Sequence, residues 1–64
     1  MNLKREVWEG WTVQNFIDEL EPIIGYQTFN SKGELKKWCI DNQPYYKKHI
    51  PEVVKYFADK LNIK

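Results

Sequence analysis

Apolar residues along this chain fall into three stretches of helical period, separated by junctions that carry proline or glycine. In the first, Val13, Phe16, Ile17, Leu20 and Ile24 recur at spacings of three and four, while Asp18, Glu19 and Glu21 fall off that stripe. Thr12 stands where an N-cap is needed, and Trp11 and Phe16 have the N′ and N4 spacing of a hydrophobic staple. Pro22 cannot donate a backbone hydrogen bond and crowds the carbonyl four residues back. The first helix is therefore expected to end or kink near Leu20, with a last irregular turn closing at Gly25.

The second stretch has the clearest beginning. Ser31-Lys32-Gly33-Glu34 matches the capping box, in which a serine and a glutamate three residues on satisfy each other's backbone N–H groups. Leu35, Trp38, Cys39 and Asn42 follow on one face, with Lys36, Lys37 and Asp41 on the other. Pro44 is expected to end this helix, because a residue preceding proline avoids the helical region. The third helix fits Pro51 as its first residue, where the missing N–H costs nothing. Its stripe reads Val54, Phe57, Ala58 and Leu61, with Val53 alongside. Glu52 and Lys60 sit at the dipole ends that suit their charges.

Two segments are ambiguous. Upstream of Gly10 no period is clear, and Val7 and Trp8 could dock on the bundle as a short strand or as a helical turn. YQTF at 26–29 is the only other run with β character. Between the second and third helices, QPYYKKHI could form one helical turn or lead continuously into the third helix. The expected fold is all-α: a single domain, 1–64, with three main helices at about 12–24, 31–43 and 51–62 and room for an extra turn at 44–50.

Size sharpens this picture. A 64-residue chain buries only about 60% of the surface its unfolded form exposes, and such domains often lean on disulfides, a metal or a second subunit. Cys39 is the only cysteine, so no disulfide can form within one chain. The lone thiol suggests a reducing, cytoplasmic setting. MNLKREV at the start carries charge, but no apolar run follows it as in a secretory signal. Nowhere does the chain approach the roughly 20 apolar residues of a membrane span. Three Trp, four Tyr and three Phe supply core area instead. They are more than so small a bundle can hide, so some are expected at the surface.

The net charge of +1 is unevenly divided. Residues 1–30 set Lys4 and Arg5 against Glu6, Glu9, Asp18, Glu19 and Glu21, a net of −3. Residues 31–64 set eight lysines against Glu34, Asp41, Glu52 and Asp59, a net of +4. An asymmetry of this kind can orient an approaching partner, although it also arises by chance in short chains.

Catalytic chemistry has little footing. One Cys and one His do not make a metal site, which needs clustered ligands, and the sequence calls for no cofactor. Cys39 and His49 could pair as nucleophile and base, but Cys39 shares the apolar face of Leu35 and Trp38, where a thiol is inert. The scattered glycines form neither a P-loop nor a dinucleotide fingerprint. Asp18, Glu19 and Glu21 read as a solvated face, and no small-molecule substrate is evident. The sequence therefore reads as non-enzymatic.

The residues that suggest contact are Tyr45, Tyr46, Lys47, Lys48 and His49, with Lys36 and Lys37 at the rim. Tyrosines offer large apolar area at low entropic cost and a polar tip that tolerates water, the properties of interface hot spots. Of two adjacent tyrosines in a helical turn, one is expected in the core and the other free to bind. Tyr56 could extend the surface, and Trp8 is a second anchor unless it docks internally. A protein partner or self-association is thus the first expectation. Nucleic acid is the alternative: the lysines, Lys32 among them, could neutralise phosphates, and the tyrosines could stack on bases. The single arginine, Arg5, and junctions too long for a helix-turn-helix argue against sequence-specific DNA reading.

ELKKWCIDNQPYYKKHIPEVVKYFADKLNI, from Glu34 to Ile63, resembles the C-terminal part of small uncharacterised proteins encoded by phages and prophages of low-GC Gram-positive bacteria. WTVQNFIDELEPI at 11–23 fits the same likeness. The resemblance carries no catalytic or ligand motif. It implies an accessory protein that acts by binding something in a host cytoplasm.

Overall fold

The structure is a computed structural model that describes residues 2–44 and 47–63. Its elements follow in the order β1 (Glu6–Trp8), β2 (Trp11–Thr12), α1 (Val13–Ile24), α2 (Lys32–Asn42) and α3 (Ile50–Leu61). Three helices pack together as expected, but the fold is mostly α rather than all-α. The first ten residues, which had no clear period, begin a two-stranded antiparallel hairpin, while YQTF at 26–29 forms no strand.

That hairpin turns at Glu9 and Gly10, whose φ angles of 22° and 85° are both positive. Two left-handed residues in a two-residue loop match the right-handed twist of the strands they join. A Cβ on Gly10 would meet no atom within 4 Å, so glycine is favoured there by backbone angle and not by space. The pairing slips between Glu6 and Trp8, and Val7 between them is buried in the core.

The N-terminal segment also closes the start of α1. The first helical N–H groups have no partner within a helix and must find one outside it. Val13 N–H donates to the Arg5 carbonyl at 3.1 Å, and Gln14 N–H to the Leu3 carbonyl at 2.7 Å. Asn15 N–H reaches the Thr12 hydroxyl at 3.3 Å, and the Asn15 side chain accepts from Thr12 N–H at 2.8 Å. The expected cap at Thr12 is therefore present as a capping box completed by asparagine. The expected staple is present too, with the Trp11 and Phe16 rings 5.1 Å apart.

Other helix ends depart from expectation in instructive ways. α1 runs through Pro22 to Ile24 as one helix, so the expected bounds of about 12–24 hold while the stop near Leu20 does not. Pro22 is exposed, so water can serve the carbonyl that proline leaves without a donor. Gly25 is right-handed, φ −64°, rather than a left-handed terminator. At the start of α2, Glu34 N–H donates to Ser31 Oγ, but the Glu34 carboxylate accepts from Asn30 N–H, one residue before the cap. α3 begins at Ile50, with Pro51 second instead of first. It ends at Asn62, φ 58°, where Ile63 N–H donates to the Ala58 carbonyl and Asn62 N–H to that of Asp59. This is the Schellman pattern with asparagine in the left-handed position.

α1 and α3 run in the same direction, with α2 antiparallel between them in sequence. The Phe16 and His49 rings touch near the starts of α1 and α3, and Glu21 meets Lys60 towards their ends. The core gathers the whole α1 stripe, Val7, Leu35 and Cys39, and Ile50, Val53, Phe57 and Ala58. In α3, Phe57, Ala58 and the flanking Val53 are buried as expected, Ile50 joins them, Val54 is half-buried against the core, and Leu61 is exposed. In α2, Trp38 is half-buried against Phe29, and Asn42 is exposed. Tyr26 and Trp8 are the aromatics left at the surface among the described residues. Among those residues no helix is long and apolar enough to cross a membrane.

Phe57 is fully buried, so Phe57→Ala is expected to cost about 3–5 kcal/mol. Trp38→Ala, at a half-buried site, is expected to cost clearly less. Urea unfolding of both variants checks the order, and equal losses would contradict the placement of α2.

Candidate interaction surface at the second junction

The expected contact residues surround the passage from α2 to α3. Lys36 and Lys37 are exposed on one turn of α2, roughly 7–9 Å along the helix axis from its C-terminal end. Lys47 and Lys48 are exposed immediately before α3. None of these four lysines forms an ion pair among the described residues. Lys32 is exposed as well. Tyr45 and Tyr46 lie outside the described residues, and with them the expectation that one is buried and the other free.

His49 is a correction. It was expected on the contact surface, yet it is fully buried, 0% exposed. Its ring stacks on Phe16 with centroids 3.8 Å apart and planes within 11° of parallel. Ring Nε2 lies 2.8 Å from the side-chain oxygen of Gln43, itself only 4% exposed. Gln43 in turn donates to the Phe16 carbonyl at 3.1 Å and to the Glu19 carboxylate at 3.3 Å. The physical reason is position: His49 precedes Ile50 and lies four residues before Val53, so it continues the inward face of α3.

The Gln43 contacts settle the tautomer. A backbone carbonyl and a carboxylate can only accept, so the Gln43 nitrogen faces α1 and its oxygen faces His49. The neutral ring must therefore carry its hydrogen on Nε2. Burial holds the His49 pKa below the ordinary histidine value, against the opposing pull of Glu19 and Glu52.

Gln43 is the residue that sequence reasoning missed. A signal was available, since Leu35, Cys39 and Gln43 recur at intervals of four, but a polar side chain next to Pro44 reads as junction rather than core. Cys39 is fully buried, and burial pushes its thiol up to about 11, which keeps it protonated and suits packing. Among the described residues no three His, Cys, Asp or Glu side chains gather in a way that could hold a metal ion.

Tyr56 does not extend the junction surface. It is half-buried, packs edge-on against Phe57, and turns its hydroxyl towards Glu21 at 3.4 Å. Lys60 Nζ meets both oxygens of Glu21, at 2.7 and 2.9 Å, and sits 5.8 Å from the Tyr56 ring centre. Arg5 pairs with Glu52 beside a shallow cleft formed with Asn2, Pro51 and Lys55. The two ion pairs tie the N-terminal half to α3, and Glu21–Lys60 engages part of the charge asymmetry inside the molecule. No family model, no curated protein and no solved structure matches the chain.

Gln43→Leu keeps the side chain's bulk but leaves His49 Nε2–H without its acceptor, and is expected to cost about 1–3 kcal/mol in urea unfolding. A variant as stable as the parent would contradict the buried contact.

Proposed function

We propose that this protein is a small, non-enzymatic binding module of phage or prophage origin that acts in the cytoplasm by contact with another protein. The observation that supports this most is the set of four exposed lysines, Lys36, Lys37, Lys47 and Lys48, without ion-pair partners among the described residues. They flank a junction held from beneath by the Gln43–His49 contact. A basic rim of this kind attracts an acidic partner and speeds encounter more than it strengthens the final complex. Tyr45 and Tyr46 would supply the apolar area that holds the partner. His49, being buried, is not among the contact residues.

The same unpaired lysines also suit phosphates, so a nucleic-acid-binding regulator is the second reading. It would bind without sequence preference and weaken steeply as salt rises.

One experiment separates these readings. Tagged protein is used to capture partners from a host lysate, in parallel with anisotropy titrations against mixed-sequence DNA at two salt concentrations. Under the first reading Tyr45→Ala/Tyr46→Ala abolishes capture of a defined protein, and Lys47→Glu/Lys48→Glu slows it about tenfold or more. Capture unchanged by either pair would sink the proposed surface. DNA binding that disappears with salt and with the lysine pair would reverse the order of the two readings.

A further inference from the structure

The segment before β1 and the start of α3 form a cleft of about 420 Å³, lined by Asn2, Arg5, Pro51, Glu52 and Lys55. Pro51 and Lys55 lie four residues apart on the exposed side of α3, with Glu52 between them in sequence. The Arg5–Glu52 ion pair bridges the two walls, which are 47 residues apart along the chain.

Hydrogen-bonding capacity in this cleft is unevenly used. Asn2 Oδ1 accepts from Lys4 N–H at 3.1 Å, which leaves the Asn2 amide NH₂ as a donor. The contact to Glu52 uses one N–H of the Arg5 guanidinium and leaves the others. Lys55 is exposed and brings an ammonium that forms no ion pair among the described residues. Pro51 has no N–H, so these donors all belong to side chains. Two cations against one carboxylate leave a positive charge uncompensated. Donors are thus in surplus, and the Glu52 carboxylate is already engaged.

We propose that this cleft binds a small phosphate monoester, whose terminal oxygens take the spare donors of Asn2, Arg5 and Lys55. Such a group has three acceptor oxygens and carries a charge of about −1.5 to −2 at pH 7. Three oxygens suit donors that arrive from three residues. A carboxylate has only two oxygens, and the Arg5 guanidinium can serve it alone, as it serves Glu52. The guanidinium offers donors on more than one edge, so Arg5 can keep Glu52 while it meets the phosphate. Lys55 adds a point charge. The Pro51 ring and the methylene stems of Arg5 and Lys55 give the wall an apolar part for the body that carries the phosphate. The volume lies within the range of small-molecule sites. Exposed charges are screened, so the affinity is modest and falls as salt rises. The cleft uses none of the lysines of the junction surface and stands independently of it.

The test is an amide-resolved NMR titration of the whole, nitrogen-15-labelled chain with phenyl phosphate near pH 7.5 at constant ionic strength. Benzoate serves as the carboxylate comparison. Saturable shifts centred on Arg5, Glu52 and Lys55 are expected, with benzoate bound about fivefold more weakly or worse. Lys55→Gln changes an exposed side chain without an ion pair, so the variant folds as the parent does and weakens phenyl phosphate about fivefold. Arg5→Lys keeps the charge that faces Glu52 but loses the fork, and weakens binding as well. Shifts spread equally over Lys36, Lys37, Lys47 and Lys48 would mean diffuse ion attraction and would overturn the site. So would benzoate bound as tightly as phenyl phosphate, or a Lys55→Gln variant that binds as the parent does. A short phosphoserine peptide tests the source of the phosphate. Affinity similar to that of phenyl phosphate supports a small ligand, whereas a peptide bound about tenfold more tightly overturns that assignment in favour of a phosphorylated protein.

Discussion

The structure depends on a polar contact placed where an apolar one would have been simpler. Gln43 follows the last residue of α2, His49 precedes the first of α3, and both turn inward against the first turns of α1. Buried polar groups are tolerated only when hydrogen-bonded, because an unmade bond in a dry interior costs more than a made one contributes. The arrangement is therefore specific: Gln43 can serve His49, the Phe16 carbonyl and Glu19 together in only one orientation of its amide. Apolar packing sets which faces of the helices meet. The Gln43–His49 pair sets where the passage between two of them is held.

The N-terminal segment solves a second problem with the same economy. A short helix has few internal hydrogen bonds relative to its unpaired ends. Here the carbonyls of Leu3 and Arg5 take the first two donors of α1, and the Thr12–Asn15 box takes the next. The hairpin is thus less a sheet than a cover for the start of a helix. Its turn brings Val7 into the core and carries Arg5 to Glu52 on α3. A 64-residue chain with no internal disulfide gains from having its first residues engaged in this way.

Helices were legible in the sequence because their signals are local. The α1 stripe, the Thr12 cap, the Trp11–Phe16 staple and Ser31 at the start of α2 all act within a few residues. What was not legible depends on partners far along the chain. The hairpin turn Glu9–Gly10 has none of the favoured asparagine or aspartate signals, and the strands are too short to show alternation. Pro22 points to an end or a kink near Leu20, yet one missing donor on an exposed face does not end a helix that is packed on its other side. The burial of Gln43 and His49 involves Phe16 and Glu19, some 24 to 27 residues away from Gln43. Of the candidate surface, the exposure of the four lysines was legible and the fate of the histidine between them and the helix was not.

Because Gln43 holds His49 in one orientation, the most direct measurement is the tautomer of that ring at neutral pH. Nitrogen-15 shifts of the imidazole distinguish the two forms without mutation. Hydrogen on Nε2 is expected, with ring protons shifted by the Phe16 face above them. Hydrogen on Nδ1, or a ring averaging freely between the two forms, would contradict it.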